Sequence, residues 1–499
     1  MNEMSPGGPY GPPEQSCAEE HDDYELTTLG YEQKLHRTMG PFTSFALAFS
    51  MVSINTGIIA LFSDPFMRVG GAGILLWLLV VPPVGTIVLV YAHMAGRMPI
   101  TGYAYQWTTR LAGSHFGWFT GWIALISFIA GTSAISTAIG TVFAPEIWEH
   151  PTRFQIQGLS VGATLVVCLL NIYGIRLATR MNDIGAVIEL VGTAMLVLAL
   201  LAGLLFVFHD TQKVDMFLSL QPVGGASLTL GSVALGMLLP VSVLLGWDGA
   251  ADLAEETLDP RRTAPRSMIR AFLISGILGF VLLVLLALCI PGDLSVFFSV
   301  PENPVLHIVR SRLGIVAAAG MVAVAFISIL ACLIANMAVA TRMVFALSRD
   351  NMLPASRFLG RVHATRGTPD AAIVFVTAIA VLLDCASGGF VAAIYSMVGL
   401  AYYLTYFLTL IAVIIACYKG RVPAVIPGVF DLGSWLLPVT AIGVVWTVLV
   451  IVTLVFSREN MAGTIMAGVM FFIGLAWWFL MLRQRLVSGS AGVPALHDK

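Results

Sequence analysis

The chain has 499 residues, of which 58% are hydrophobic and 11% charged. Soluble domains carry about 25% charged residues, so 28 acids and 26 bases are too few to coat a soluble globule of this length. A net charge of -2 leaves no basic excess for nucleic acid, and the composition also excludes disordered, collagenous and secreted disulfide-rich classes.

Residues 1–40 hold eight acids against Lys34 and Arg37, with a Pro/Gly-rich stretch and no apolar period. Residues 1–38 therefore read as a disordered acidic tail with nothing to bury. Twelve apolar runs follow, at 42–63, 72–95, 116–143, 156–174, 182–208, 229–254, 269–291, 315–346, 370–385, 390–417, 434–456 and 461–482. These are spans 1 to 12. They are long enough to cross about 30 Å of hydrocarbon, where an unpaired backbone is forced into helices. With the N-terminus in the cytoplasm, 20 of the 26 Lys and Arg residues fall on the inner side. That excess places both termini inside an integral, multi-pass protein, with a plasma membrane as the expected site. The expected organisation is a first five-helix unit at 39–214, a second at 215–418, two further helices at 419–485 and a C-terminal tail at 486–499.

Two spans are interrupted without a loop. Span 1 contains Ser53-Ile54-Asn55-Thr56-Gly57, and span 6 contains Gly246-Trp247-Asp248-Gly249. They lie five spans apart, so they enter the membrane from opposite sides. Matched interruptions of this kind mark transporters built from inverted repeats, where unwound backbone and helix ends meet a polar solute at mid-membrane. All nine residues are candidate substrate ligands. Glycine kinks at helix crossings are the structural alternative.

Five segments then carry a resemblance, in order along residues 40 to 480. They are Pro99-Ile100-Thr101-Gly102-Tyr103 with Gly117-Trp118-Phe119-Thr120-Gly121-Trp122; Asn171-Ile172-Tyr173-Gly174-Ile175-Arg176; Gly246-Trp247-Asp248 through Glu255-Glu256 to Pro260-Arg261-Arg262; Thr341-Arg342-Met343 through Asp350 to Leu353-Pro354; and Gly367-Thr368-Pro369. Together they resemble the amino acid–polyamine–organocation superfamily, closest to its amino acid/choline transporter branch, which includes GABA permeases. The resemblance implies an all-α, LeuT-like 5+5 inverted repeat plus two C-terminal helices, and secondary active uptake of a small amine. Span 1 departs from the superfamily's Gly-x-Gly: Asn55 and Thr56 stand there, adding an amide and a hydroxyl to a cradle for a carboxylate. Position 252, often His in the GABA-permease pattern, is Asp252 and is given no role.

Glu189 lies inside span 5, where a carboxyl needs a proton, a partner or water. By the resemblance it aligns with a site where some superfamily members hold Lys in place of sodium. It is the expected proton-coupling residue, with a structural hydrogen bond to the span 1 break as the alternative. Asp248 could bind a substrate ammonium or cap the following half-helix; Trp247 could face a cation or pack. Span 8 offers Ser328 and Asn336 but no adjacent Ser/Thr pair for sodium, so protons are preferred. Asn336 and Tyr402 are candidate site residues, with interhelical bonding and core packing as their alternatives. Glu255, Glu256, Arg261, Arg262, Arg266, Arg349 and Asp350 fall near the inner surface and are expected to form an inner gate, with Glu255, Glu256 and Arg262 at its centre, or a surface ion-pair network.

Cysteines 17, 168, 289, 332, 385 and 417 have no metal-like spacing, and no phosphate loop, HExxH, GxSxG or dinucleotide fingerprint occurs. No metal, cofactor, nucleic-acid partner or enzymatic activity is expected. The sequence reading is a proton-coupled importer of a small amino acid or amine by alternating access, with GABA or another amino acid first. Choline, ethanolamine or polyamine transport, obligate exchange and a non-transporting nutrient receptor are the rivals.

Overall fold

A computed structural model describes residues 26–225, 227–300, 302–386 and 391–494. The expected tail up to residue 25, and Cys17 within it, lie outside these residues. Residues 26–38 do not match the expected structureless tail. Leu26, Leu29, Tyr31 and Leu35 are buried, and the Thr38 and Met39 N–H groups donate to the Glu256 carbonyl. Four apolar side chains within ten residues give this stretch a face to bury, and the acids that dominate the tail lie mostly before it, with only Glu32 inside it.

The described residues form an all-helical bundle. Its main elements are α1 (Pro41–Val52), α2 (Ile54–Leu61), α3 (Leu76–Arg97), α4 (Tyr103–Ala112), α5 (Ser114–Ile147), α6 (Arg153–Tyr173) and α7 (Ile175–Phe206). They continue with α8 (Leu230–Gly236), α9 (Leu238–Val243), α10 (Gly249–Asp252), α11 (Pro260–Leu288), α12 (Pro304–Leu313), α13 (Ile315–Arg349), α14 (Asp370–Ala386), α15 (Val391–Lys419), α16 (Leu436–Phe456) and α17 (Met461–Trp477). Among the described residues, ten helices are long and apolar enough to cross a membrane, counting α1 with α2 as one. Two of the twelve predicted spans differ. Span 6 is divided into α8, α9 and α10, and span 9 is the 17-residue α14. Span 5 begins at Ile175, seven residues earlier than expected, because a helix continues past the hydrocarbon through Arg176 and Arg180 without breaking its own hydrogen bonds.

Helix α5 is the axis of the bundle, packing against α4, α6, α13, α14 and α15. Its middle, Gly131 to Ala138, is made of small residues apart from Ile135, which lets neighbouring backbones approach closely. α16 and α17 pack on the outside of α15. Their apolar side chains, including Val445, Phe456 and Phe472, are exposed, as expected of a lipid-facing surface. The five described cysteines, at 168, 289, 332, 385 and 417, are unbridged.

The loops expected on the inner side meet at one end of the bundle. There Arg97 reaches Asp431, Arg261 donates to the Arg97 carbonyl, and Arg485 donates to the Asn351 carbonyl. At the other end Arg68 pairs with Glu459, and Asn303 donates to the Ile59 carbonyl.

Candidate functional site

The first break is a single residue. Ser53, between α1 and α2, has φ 43 and ψ 78, in the left-handed region. A non-glycine residue there carries about 1–3 kcal/mol of strain and persists only where its surroundings hold it. Two hydroxyls do so: Ser53 Oγ lies 2.5 Å from Thr56 Oγ1 and 3.1 Å from Ser328 Oγ. The break frees the first N–H groups of α2, and the fully buried Glu189 of α7 faces them. Its Oε1 accepts the Asn55 N–H at 3.4 Å, with Ser328, Ser53 and the Ile54 N–H also disposed around the carboxyl. Oε2 itself has no hydrogen bond within normal geometry. Asn55 Nδ2 donates to Thr193 Oγ1 at 2.8 Å, and the Thr193 hydroxyl donates to the Glu189 carbonyl at 2.6 Å. A carboxylate at a helix N-terminus is the arrangement the helix dipole favours.

The second break runs from Leu244 to Asp248, between α9 and α10. Gly246 has φ 90, and a Cβ there would stand 2.8 Å from the Met51 carbonyl oxygen. Both conditions require glycine, and together they press the two breaks against each other. Gly57 serves the same approach: a Cβ there would overlap Val243. Asp248 is fully buried and accepts the Tyr103 hydroxyl on Oδ2 and the Tyr406 hydroxyl on Oδ1, the latter at 2.8 Å. The Trp247 ring stacks on Tyr406 at 5.3 Å, with Tyr91 edge-on to both. Asp248 is thus set in an aromatic group drawn from α3, α4 and α15.

A third cluster closes the end that carries the N-terminal segment. Arg342 grips Glu256 with two bonds, at 2.6 and 3.1 Å, all of it buried. Arg349 Nη1 donates to both Glu255 oxygens, at 3.1 and 3.0 Å, while its guanidinium lies 3.7 Å over the Tyr31 ring. The Tyr31 hydroxyl meets Asp350 Oδ2 at 2.8 Å, and Gln106 Nε2 donates to the same oxygen at 2.9 Å. Burial and the Asp350 carboxylate push the Tyr31 phenol well above its ordinary range. Burial likewise raises Asp350, against the pull of Arg349.

The structure brings Ser53, Ile54, Asn55 and Thr56 together with Glu189, and brings Gly246, Trp247, Asp248 and Gly249 against them. It does not bring Arg262 to Glu255 or Glu256. Arg262 is half-exposed and lies 3.7 Å from Asp259, while Arg342 and Arg349 supply the guanidinium groups. The helix that follows the acids turns Arg262 outward, whereas α13 aims its basic residues inward. Asn336 bonds the Phe128 carbonyl and Thr132 Oγ1 at 2.8 and 2.9 Å, tying α13 to α5. Tyr402 packs edge-on to Phe128, and it is Tyr406, one turn further on, that reaches Asp248. Tyr91, Tyr103, Thr193 and Tyr31 carried no charge or break to single them out. The Gly-Tyr at 102–103 was legible only as a motif. Asp252 is also buried, accepting the Gly102 N–H at 3.2 Å.

The sequence pattern of the amino acid permease family matches residues 39–479, which includes both breaks and the arginine clusters. The chain is 26% identical over 453 residues to amino-acid permease BAT1 of Arabidopsis thaliana, covering 85% of this chain and 86% of that one. It is 24% identical over 485 residues to amino-acid permease 2 of Neurospora crassa, covering 92% and 87%. It is also 24% identical over 500 residues to the BAT1 homolog of Oryza sativa, covering 92% and 94%. With its apolar helices, its two touching helix breaks and this match over most of its length, the chain is an integral, multi-pass membrane protein belonging to the amino acid permease family.

Proposed function

We propose that this protein is a secondary active transporter that imports a small amino acid by alternating access, probed first with GABA and the common α-amino acids. In this reading it has twelve membrane helices, ten of them in an inverted 5+5 repeat, and both termini are cytoplasmic. The observation that carries it is the contact between two broken helices, each with a fully buried carboxylate at its break, Glu189 and Asp248. The names of the relatives add amino acids as the substrate class.

The two breaks offer complementary chemistry. Asp248, with Tyr103, Tyr406 and Trp247, is fitted to a substrate ammonium: a carboxylate for its charge, aromatic faces for its hydrocarbon flank. The N-terminus of α2 is fitted to a carboxylate, but Glu189 already accepts the Asn55 N–H. An ionised Glu189 and a substrate carboxylate repel each other at the same N–H groups, so the substrate needs Glu189 neutral. A proton on Glu189 would release the cradle, and this competition is a physical basis for proton coupling. Ser53 and Ser328 supply hydroxyls that can bond Glu189 in either state. At the cytoplasmic end, the Glu255–Arg349 and Glu256–Arg342 pairs would part when the site opens inward.

A cationic amine without a carboxylate is the second reading, favoured by the aromatic group around Asp248. Thermal unfolding of the purified protein with amino acids, GABA, choline, ethanolamine and polyamines separates the two. A ligand at about 100 times its Kd stabilises the fold by about 2.7 kcal/mol. Stabilisation by carboxylate-bearing ligands supports the first reading; stabilisation confined to amines overturns it. Counterflow without accumulation down a pH gradient would select obligate exchange, and binding without either would select a receptor.

A further inference from the structure

A third buried carboxylate lies away from both breaks. Asp384 is fully buried near the end of α14, and four hydroxyls from two other helices converge on it. Ser133 Oγ donates to Oδ1 at 2.6 Å, and Ser136 Oγ lies 2.9 Å from Oδ1 and 3.0 Å from Oδ2. Thr164 Oγ1 of α6 donates to Oδ2 at 3.0 Å, and Thr137 Oγ1 stands 3.4 Å from Oδ1. Gln157 Nε2 donates to the Cys385 carbonyl at 2.8 Å, capping the end of α14, where the helix dipole is negative.

Three features of this nest point the same way. Hydroxyl donors bond a carboxylate in its charged form, the form a cation would meet. These four hydroxyls are neutral, so they stabilise a charge without themselves cancelling it, at a depth where net charge is unfavourable. Each hydroxyl oxygen also keeps lone pairs and can turn to present them. The hydroxyl oxygens lie 2.6 to 3.4 Å from the Asp384 oxygens, so a turn of each hydroxyl would present oxygens to a hard cation, which takes such ligands at about 2.3–2.6 Å.

We propose that Ser133, Ser136, Thr137, Thr164 and Asp384 form a site for an alkali-metal cation of sodium size, which clamps α14 to α5 and α6. The cation replaces the hydroxyl-to-carboxylate bonds with metal–oxygen bonds and neutralises Asp384. This is separate from the coupling carboxyl Glu189 and from the substrate, and it makes stability depend on sodium in the absence of any transported solute.

The test is thermal unfolding of the purified full-length protein in NaCl from zero to 300 mM, with N-methylglucamine chloride holding ionic strength constant. The expected result is an unfolding temperature that climbs with the logarithm of sodium concentration above the Kd, as a one-site ligand requires. Asp384→Asn is expected to flatten the response, and Ser136→Ala to move its midpoint about tenfold higher, while Glu189→Gln keeps the wild-type midpoint. A flat wild-type response overturns the proposal, as does a response retained by Asp384→Asn or lost only in Glu189→Gln. Should Asp384→Asn fail to fold, the Ser136→Ala midpoint decides, and an unchanged midpoint overturns the proposal.

Discussion

Glu255 and Glu256 are as fully buried as Glu189 and Asp248, yet the two regions solve the problem of a buried charge in opposite ways. At the loop-rich end each acid is met by an arginine, so charge is cancelled in place and the groups act as clasps. At the breaks, the groups that bond the acids are neutral: phenols on Asp248 and a backbone N–H on Glu189. A buried carboxylate held by neutral donors remains ready for a proton or a cation, and a carboxylate already paired does not. In the proposed transport cycle, the difference separates the groups that would bind and exchange protons from the clasp that would close over them.

The comparison breaks most sharply at Arg342. Arg342→Met leaves Glu256 buried and unpaired, which costs about 3–5 kcal/mol. The expected outcome is loss of folded protein in detergent, with Arg342→Met/Glu256→Gln recovering most of the monodisperse yield by size-exclusion chromatography. Failure of the double variant to recover would show that the clasp acts through shape rather than charge.

Asp248→Asn tests the other region. It keeps the shape and both tyrosine contacts, so the fold is expected to survive, while substrate affinity falls by about 2–4 kcal/mol for loss of a buried charge pair. Binding measured by thermal shift or calorimetry checks this; an unchanged Kd would return Asp248 to a capping role. Glu189→Gln is expected to abolish accumulation driven by a pH gradient in proteoliposomes while counterflow continues. Full gradient-driven accumulation in this variant would remove Glu189 from coupling.

Tyr31→Phe loses the bonds to Asp350 but keeps the ring under Arg349. The expected loss is about 1–2 kcal/mol, seen as a lower unfolding temperature and faster exchange, because the lock is loosened and the site is untouched. The smallest effect concerns Asp431. The Gly433 N–H, followed by Arg97 and His93, holds its carboxyl below the ordinary range. A depressed folded-state value means the stabilisation is complete above the unfolded-state value of about 3.9 and is lost as pH falls through the folded one. Wild type and Asp431→Asn are therefore expected to differ slightly in unfolding temperature at pH 6 and to draw together as pH falls below the unfolded-state value of about 3.9.

Particular residues show how far the sequence reaches. The helical runs, both breaks and the depth of Glu189 and Asp248 were legible, because hydrocarbon thickness and the price of exposed backbone act on each segment alone. In span 6 the break at Gly246–Gly249 was legible, but the further division between α8 and α9 at Met237 was not. Arg349 was legible as a charge sharing the inner surface with Glu255, whereas Arg342, which meets Glu256 from 86 residues away in α13, carried no such signal. Tyr406 stood beside the expected Tyr402, and one helical turn decided which reached Asp248.

The sequence by itself determined an all-helical membrane protein with two interrupted helices, since burial in lipid constrains every residue of a span through its own hydropathy and hydrogen bonds. The tertiary structure decided which groups face each buried charge. Hydroxyls and guanidinium groups reach a carboxylate only through the rotation and register of separate helices, and those are fixed by close packing between helices remote in the chain.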